Sequence, residues 1–158
     1  FMLNQYQDYL TFENIYLWAN FGVLPFWITL IAIPNSRFSK IFINSIIIPL
    51  ILSATYFYVV YQAVLFEESF FNIFKIYLSL ENLQEILSID SFLLIFWIHF
   101  LALNLFLGCW VSRDGIKYNV SRSLVIISLI LIYFIGPVGL VFYWLFRIFF
   151  AKKLGFHD

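Results

Sequence analysis

The sequence predicts an all-α integral membrane protein with four transmembrane helices and one amphipathic helix at the membrane interface. Hydrophobic residues make up 63% of the 158 residues, and charged residues make up only 11%. Soluble domains usually carry about 25% charged residues, so this chain has too little polar surface to coat a water-soluble globule. It also contains four apolar runs that are long enough to span a bilayer, which takes about 20 helical residues.

The first three predicted spans are apolar runs with recognisable ends. The first covers 15–33 and ends at a Pro-Asn-Ser-Arg stop signal. The second covers 41–65 and contains Pro49, which predicts a kink. The third covers 91–112 and carries no formal charge. All spans are predicted to belong to a single domain over 1–158, which is an ordinary domain size.

The fourth predicted span, 123–150, is too long for one upright helix. Gly136-Pro137 in its middle predicts a kink or a break, because proline removes a helical hydrogen bond. Between the second and third spans, residues 66–90 repeat apolar side chains at helical spacing, and most polar and acidic side chains fall elsewhere on the helix. This pattern predicts an amphipathic interfacial helix. It would either cap the bundle or dock other subunits of a membrane complex.

The basic residues predict an orientation in the membrane. Two short loops, 34–40 and 113–122, carry five of the nine Lys and Arg residues. The positive-inside rule places both loops on the cytoplasmic or stromal side. The formal net charge is zero, so no global field favours nucleic acid, and the expected partner is the lipid bilayer. In this arrangement the opposite side carries the other basic residues, Lys75, Arg147, Lys152 and Lys153.

Two polar residues, His99 and Asn104, lie inside the third span. Polar groups in a bilayer usually face the bundle interior or a cavity, so we expect the His99 imidazole to point inward. Three interpretations of His99 stay open: a hydrogen bond to a neighbouring helix, an axial bond to a chlorophyll or haem, and acid/base catalysis. No protein-ligated metal site is predicted, because one histidine does not supply the three or four ligands of a zinc site.

Aromatic residues, 23% of the chain, populate the first, third and fourth spans. Some are expected to form belts at the membrane interface. Others are expected to line a slot for a long, flat, apolar ligand such as a carotenoid, a chlorophyll or a lipid. The candidate binding residues are Asn20, Trp27, Trp97, Asn104 and Trp110.

A weak internal repeat is also visible, because a shift of 79 residues aligns Trp18 and Asn20 with Trp97 and His99. A true repeat would relate the first and third spans by an axis along the membrane normal, as in some transporters. Coincidence between two aromatic-rich helices is the alternative. No pathway of charged residues supports a transporter.

Three stretches combine several of these features. They read ANFGVLPFWITLIAIPNSRFSK at 19–40, FWIHFLALNLFLGCWVSRDG at 96–115 and GPVGLVFYWLFR at 136–147. Together they resemble the four-span neoxanthin-synthase-like family, whose plant members are the abscisic-acid-deficiency proteins of the plastid. The family pattern has aspartate at the position of Asn104.

The resemblance implies conversion of an epoxy-xanthophyll to its allenic isomer, which requires no redox cofactor. A proton leaves the polyene beside the ring, and a proton is given to the epoxide oxygen. His99 would be the acid/base residue, and Asn20 and Asn104 would donate hydrogen bonds to the oxygen. If the family aspartate transfers a proton, Asn104 removes that function. The implied location is a plastid membrane, thylakoid or envelope, or a bacterial inner membrane.

A competing hypothesis belongs to another class. The chain would be a non-catalytic, pigment-binding subunit of a larger photosynthetic or respiratory membrane complex. The acidic segment 66–90 and the presence of Asn104 in place of aspartate favour this alternative.

Overall fold

The computed structural model describes residues 10–43, 47–66 and 68–152, and these residues form an all-helical fold. Helices account for 88% of them, and none of them lies in a strand, which confirms the predicted all-α class. Parts of three predictions lie outside the described residues, namely 44–46 of the second span, 67 of the interfacial helix, and 1–9 and 153–158 of the single domain.

The described elements are numbered in chain order. They are α1 (Phe12–Ala32), a π-helical turn (Ser39–Ile43), α2 (Ile47–Phe66), a 3₁₀-helix (Glu68–Tyr77), α3 (Leu80–Leu87), α4 (Asp90–Lys117), α5 (Arg122–Ile135) and α6 (Pro137–Ala151).

Two of these helices, α1 with 21 residues and α4 with 28, are long and apolar enough to cross a membrane. They correspond to the first and third predicted spans. Within the described residues, the other apolar helices are shorter, so the four-span arrangement is not confirmed. Pro49 lies in the first turn of α2 and not at mid-span. The part of the span that would precede a kink at Pro49 includes 44–46, which lie outside the described residues, so the expected kink stays a prediction.

The segment 66–90 is not the single helix that its periodicity predicts. Ser79 separates the 3₁₀-helix from α3, because its backbone is extended, with φ −157° and ψ 157°. The Ser79 hydroxyl oxygen accepts a hydrogen bond from the Asn82 N–H at 3.2 Å, which is a standard N-cap. Within α3, Ile86 is buried and both glutamates are exposed, so the predicted amphipathic character is present over this shorter helix.

The described chain divides into two compact units. Unit 1 contains the described residues of 1–22 and 50–102, and unit 2 contains those of 23–49 and 103–158. Unit 2 holds the C-terminal part of α4 together with α5 and α6. The prediction of a single domain concerns the whole chain and stays a prediction.

In unit 2, α5 and α6 form a helical hairpin that closes at Gly136. This glycine ends α5 and precedes α6 with φ 53° and ψ −96°, a conformation that favours glycine. Pro137 follows at the start of α6, where its missing N–H is tolerated. The two helices touch at Gly139, because a Cβ there would lie 2.7 Å from the Ser128 carbonyl oxygen and would also collide with the Ile132 nitrogen.

The C-terminal half of α4 shows the direction of α5. Near the start of α5, Val125 packs so closely on Gly115 that a Cβ on this glycine would lie 2.7 Å from a Val125 methyl carbon. At the other end of α5, a Cβ on Gly136 would lie 2.7 Å from the Asn104 side-chain oxygen. Since 11 helical residues rise about 16 Å, α5 runs back along α4 for most of its length.

The predicted break at Gly136-Pro137 is confirmed, but the prediction that 123–150 continues as one kinked span is wrong. From Gly136, α6 returns along α4 until Arg147 contacts Asp114. The positive φ of Gly136 reverses the chain instead of bending it. Arg147 therefore lies at the same end of unit 2 as the loop 113–122, and not at the opposite end.

We expect Gly139→Ala to lower the free energy of unfolding by roughly 1–3 kcal/mol, because the added methyl group has no room against the α5 backbone. Thermal unfolding of the purified protein in detergent measures this effect. Gly22→Ala is the matched control, since a Cβ at Gly22 has nothing within 4 Å, and alanine favours a helix over glycine. Equal unfolding temperatures for both variants would contradict the close contact between α5 and α6.

Candidate functional site

The most deeply buried charges of unit 2 form an ion pair between α4 and α6. Arg147 donates from Nε to Asp114 Oδ2 at 2.6 Å and from Nη2 to Asp114 Oδ1 at 3.2 Å. This two-pronged geometry is the strong form of an arginine–carboxylate pair. Arg147 is 0% exposed and Asp114 is 8% exposed, so each charge depends on the other for compensation.

Aromatic residues complete this buried charge cluster. The Tyr143 hydroxyl donates to Asp114 Oδ2 at 2.7 Å. The Arg147 guanidinium lies over the Tyr118 and Trp144 rings, at 4.6 and 4.7 Å from their centroids. Such cation–π contacts favour a desolvated arginine. The cluster therefore holds α6 against the end of α4, and its carboxylate is already fully engaged.

The candidate binding residue Trp110 belongs to the same cluster. Its ring stacks on Trp144 with centroids 5.9 Å apart and meets the Tyr143 ring edge-on at 5.8 Å. Trp110 thus packs beside the buried ion pair in unit 2. Its predicted contact with a flat ligand stays a prediction.

Reasoning from single residues missed this cluster. Asp114 was expected in a loop, but α4 continues to Lys117. Arg147 was expected at the opposite membrane edge, because the return of α6 was not foreseen. One signal was present: Tyr143 and Arg147 are four residues apart on one helical face, inside a stretch that carries the family resemblance.

Asn104 lies at the hairpin turn and is 7% exposed. Its side-chain nitrogen has no hydrogen-bond partner among the described residues. Leaving a buried donor unpaired costs about 1–3 kcal/mol. Asn104 thus has an unpaired donor beside Gly136, where the helical backbone of α5 ends. Its predicted contact with a substrate oxygen stays a prediction.

Trp27 is a buried packing residue of unit 2, with 4% exposure. Its ring fills the space above Gly108, where a Cβ would lie 2.7 Å from the indole. It also meets the Tyr133 ring edge-on, with centroids 5.4 Å apart. Trp27 on α1 therefore packs against both α4 and α5. Its predicted ligand contact stays a prediction.

In unit 1 the structure brings together two of the candidate binding residues, Asn20 and Trp97. The Trp97 indole N–H donates to the Asn20 side-chain oxygen at 3.1 Å. The Asn20 side-chain nitrogen donates to the Tyr16 carbonyl oxygen at 2.7 Å. The Tyr16 and Trp97 rings also touch, with centroids 6.0 Å apart. Asn20 thus fixes the orientation of the Trp97 ring.

Trp97 and Tyr16 line a cavity of about 440 Å³ in unit 1. Its remaining wall combines apolar side chains with two carboxylates, and it consists of Phe12, Glu13, Asp90, Leu93 and Leu94. Ligand pockets typically have such mostly apolar walls with a few polar groups. Both carboxylates occupy the first turns of their helices, where acidic residues are common, so nothing specific in the sequence indicates their proximity.

His99 is exposed, so the expectation of an inward-pointing imidazole is wrong. Its chain neighbour Ile98 is 0% exposed and faces the core, and successive helical residues point about 100° apart. The described ring neighbour of His99 is Tyr56, with centroids 6.0 Å apart. The described residues contain no group of three or more His, Cys, Asp or Glu side chains placed to hold a metal ion. The proposed roles of His99 as catalyst or axial ligand stay predictions.

Together these features define an all-helical, strongly apolar protein with two potential membrane spans, a hairpin of two shorter apolar helices and a buried ion pair. A family model described as ABA4-like, or ABA DEFICIENT 4-like, matches residues 14–143. The chain therefore belongs to the ABA DEFICIENT 4-like family, which confirms the resemblance to neoxanthin-synthase-like proteins and fits a role connected with carotenoids. No curated protein and no solved structure matches the chain.

We expect Asp114→Asn to lower the free energy of unfolding by about 3–5 kcal/mol, because it leaves Arg147 buried without a counter-charge. Arg147→Met should lower the free energy of unfolding by a similar amount, because it leaves Asp114 buried without a counter-charge. The double variant should be less destabilised than the sum of the two single variants, since it removes both charges.

Denaturant unfolding in detergent, run as a double-mutant cycle, measures this coupling. Arg113→Gln is the control, because Arg113 is exposed on the same helix and surface changes usually stay within about 0.5 kcal/mol. Additive effects of the two substitutions would refute an energetically coupled pair.

Proposed function

We propose that this protein is a membrane-embedded isomerase that binds an oxygenated carotenoid and converts its epoxide end group to an allene. Family membership supports the carotenoid class. The cavity of unit 1, with a Trp97 ring held by Asn20, is the observation that carries the proposal.

The size and walls of the cavity suit one cyclic end group. Its volume of about 440 Å³ admits such a ring, and the rest of a long polyene must lie outside. Tyr16 and Trp97 offer aromatic faces to the apolar part of the ring. The Asn20 amide is occupied by Trp97 and Tyr16, so in this proposal it acts by holding the indole and not by contacting the oxygen.

Glu13 and Asp90 supply the acid/base chemistry of the proposed reaction. One carboxylate takes the proton from the polyene carbon beside the ring, and the other group, as a carboxylic acid, gives a proton to the epoxide oxygen. The carbon–oxygen bond breaks, the electron pair of the carbon–hydrogen bond forms the allene, and no oxidant or reductant is needed. Two carboxyl groups in different protonation states commonly share such work. His99 does not line this cavity.

The membrane arrangement that we propose differs from four simple spans. α1, α2 and α4 cross the bilayer, whereas α5 and α6 enter and return as a hairpin. With 14 and 15 residues, α5 and α6 are about 21–22 Å long, which is less than the roughly 30 Å of a hydrocarbon core. The loops 34–40 and 113–122 then share the stromal or cytoplasmic side with the end of α6, in a plastid or bacterial inner membrane.

This arrangement improves agreement with the positive-inside rule. Arg147 and Lys152 are two of the four basic residues that the predicted orientation placed on the opposite side. With α6 returning, both lie at the end of unit 2 that carries Arg113 and Arg122. Lys153 lies outside the described residues.

A non-catalytic pigment-binding subunit is the second candidate. The exposed aromatic side chains of Phe74 and Tyr77, 77% and 83% exposed, favour it, because they offer a surface to a partner in a membrane complex. Asn104 in place of the family aspartate also favours it. Native electrophoresis in mild detergent separates the two candidates, since a subunit migrates with its complex and an isomerase turns over substrate alone.

The activity test uses purified protein in lipid vesicles with an epoxy-xanthophyll, and chromatography with absorbance spectra detects the allenic isomer. We expect Glu13→Gln and Asp90→Asn each to lower the rate by about 10²–10⁴-fold. Trp97→Ala should raise KM. Trp18→Ala is the control, because Trp18 is 75% exposed on the same helix as Glu13.

His99→Ala is a separate arm of this experiment. Unchanged activity agrees with carboxyl catalysis, whereas complete loss assigns the acid/base role to His99. Bound carotenoid with no isomer formed would rule out the isomerase and leave the pigment-binding subunit.

The topology test labels single cysteines in sealed vesicles with a membrane-impermeant maleimide, in a Cys109→Ala background. Because α6 returns along α4, we expect Asn119→Cys and Lys152→Cys to label from the same side. Leu10→Cys, before α1, should label from the other side. Labelling of Asn119→Cys and Lys152→Cys from opposite sides would show that 123–150 crosses the membrane once.

A further inference from the structure

A second cavity, of about 720 Å³, lies at the loop end of unit 2. Its walls come from the end of α1 and the residues 33–36 after it, the last turns of α4, the loop 119–121 and the first turn of α5. Its polar lining residues are asparagines, serines and one arginine, which stand among apolar residues, and no Asp or Glu is among its described lining residues. A cavity with this lining offers donors and no competing negative charge.

The N-terminus of α5 opens onto this cavity. Ser121 precedes the helix and lines the cavity, but its side chain makes no capping hydrogen bond. The helical hydrogen bonds of α5 begin at Val125, whose backbone N–H donates to the Ser121 carbonyl oxygen at 3.1 Å. The N–H groups of 122–124 have no acceptor within the helix, and they carry the positive end of the helix dipole.

A buried hydroxyl supplies a second, independent observation. Ser112 lines the cavity from α4 and is 1% exposed. Its hydroxyl oxygen has no hydrogen-bond partner among the described residues. Because an unpaired buried hydroxyl is unfavourable, a ligand atom that accepts a hydrogen bond from Ser112 would be bound favourably.

Arg122 brings a full positive charge to the same cavity. One of its terminal nitrogens donates to the Ala32 carbonyl oxygen at 2.6 Å, which anchors the guanidinium at the end of α1. The other N–H groups remain available as donors, since a guanidinium has five in a fixed fork. This fork matches the geometry of phosphate oxygens.

We propose that this cavity binds a phosphate group through the α5 N-terminus, the Ser112 hydroxyl and the Arg122 guanidinium. The ligand is a phosphate ester or inorganic phosphate, and helix N-termini combined with arginine are the usual recognition elements for it. The proposal is independent of carotenoid chemistry. A phospholipid headgroup and a soluble phosphate share this chemistry, so the experiment tests both sources.

The test uses the full-length protein in a neutral, phosphate-free detergent. Thermal unfolding is followed with added inorganic phosphate in one arm and with short-chain phosphatidylglycerol in the other, and native mass spectrometry counts bound molecules. Saturable stabilisation by phosphatidylglycerol alone assigns a headgroup site, and stabilisation by inorganic phosphate assigns a soluble ligand. Absence of both effects overturns the proposal.

Variants locate the binding. Ser112→Ala and Arg122→Gln should each weaken binding by about tenfold, as expected for loss of one hydrogen bond to a charged group. Asn119→Asp places a carboxylate on the cavity wall, keeps a residue that tolerates the positive φ of 52°, and should weaken binding while Arg122 keeps its contact with Ala32.

Arg113→Gln is the control, because Arg113 is exposed on α4 and does not line the cavity. Equal weakening by Arg113→Gln and Asn119→Asp would show diffuse attraction to basic loops and would overturn the assigned site.

Discussion

The fold of unit 2 depends on the ion pair between Asp114 and Arg147. A fully buried guanidinium requires a carboxylate at contact distance, because the loss of hydration must be offset by the partner charge and its hydrogen bonds. This requirement brings the C-terminal part of α6 back to the last turns of α4. The chain must therefore reverse direction between α5 and α6, and Gly136 supplies the backbone conformation for the reversal. Tyr143 then satisfies the carboxylate oxygen that the arginine also uses.

The sequence predicted the parts of this fold that depend on local information. Apolar runs with clear stop signals identified α1 and α4, and Gly136-Pro137 identified the end of α5. Proline and glycine show that a helix ends, but they do not show where the chain goes next. The direction of α6 depends on a contact between residues 33 positions apart in the chain. The residue pattern of one helix carries no information about such a distant contact. The same sequence is therefore compatible with a kink and with a reversal.

The candidate residues illustrate the same limit at the level of side chains. Asn20 was predicted to bind a ligand, and in the structure its side-chain oxygen accepts a hydrogen bond from the Trp97 indole. His99 was expected to face inward, but α4 carries apolar residues on all sides, so its sequence does not mark the buried face. Only the three-dimensional neighbours decide that Ile98 is buried and His99 is exposed. Glu13 and Asp90 are distant in sequence, and their common cavity is a tertiary feature for the same reason.

The polar groups of this protein follow one physical rule. Within a regular helix the backbone groups are already paired, so a buried or half-buried polar side chain either has a side-chain partner, as Asp114 and Asn20 do, or destabilises the fold. Helix ends differ, because their backbone groups are unpaired and the helix dipole attracts a group of the opposite charge. The two carboxylates of the unit 1 cavity lie in first turns, and the donors of the unit 2 cavity surround the start of α5. Asn104 is unpaired in the middle of α4, but its side chain lies beside the point where α5 ends and α6 begins. Chemistry in so apolar a chain is therefore expected where helices begin or break, and packing is expected between those points.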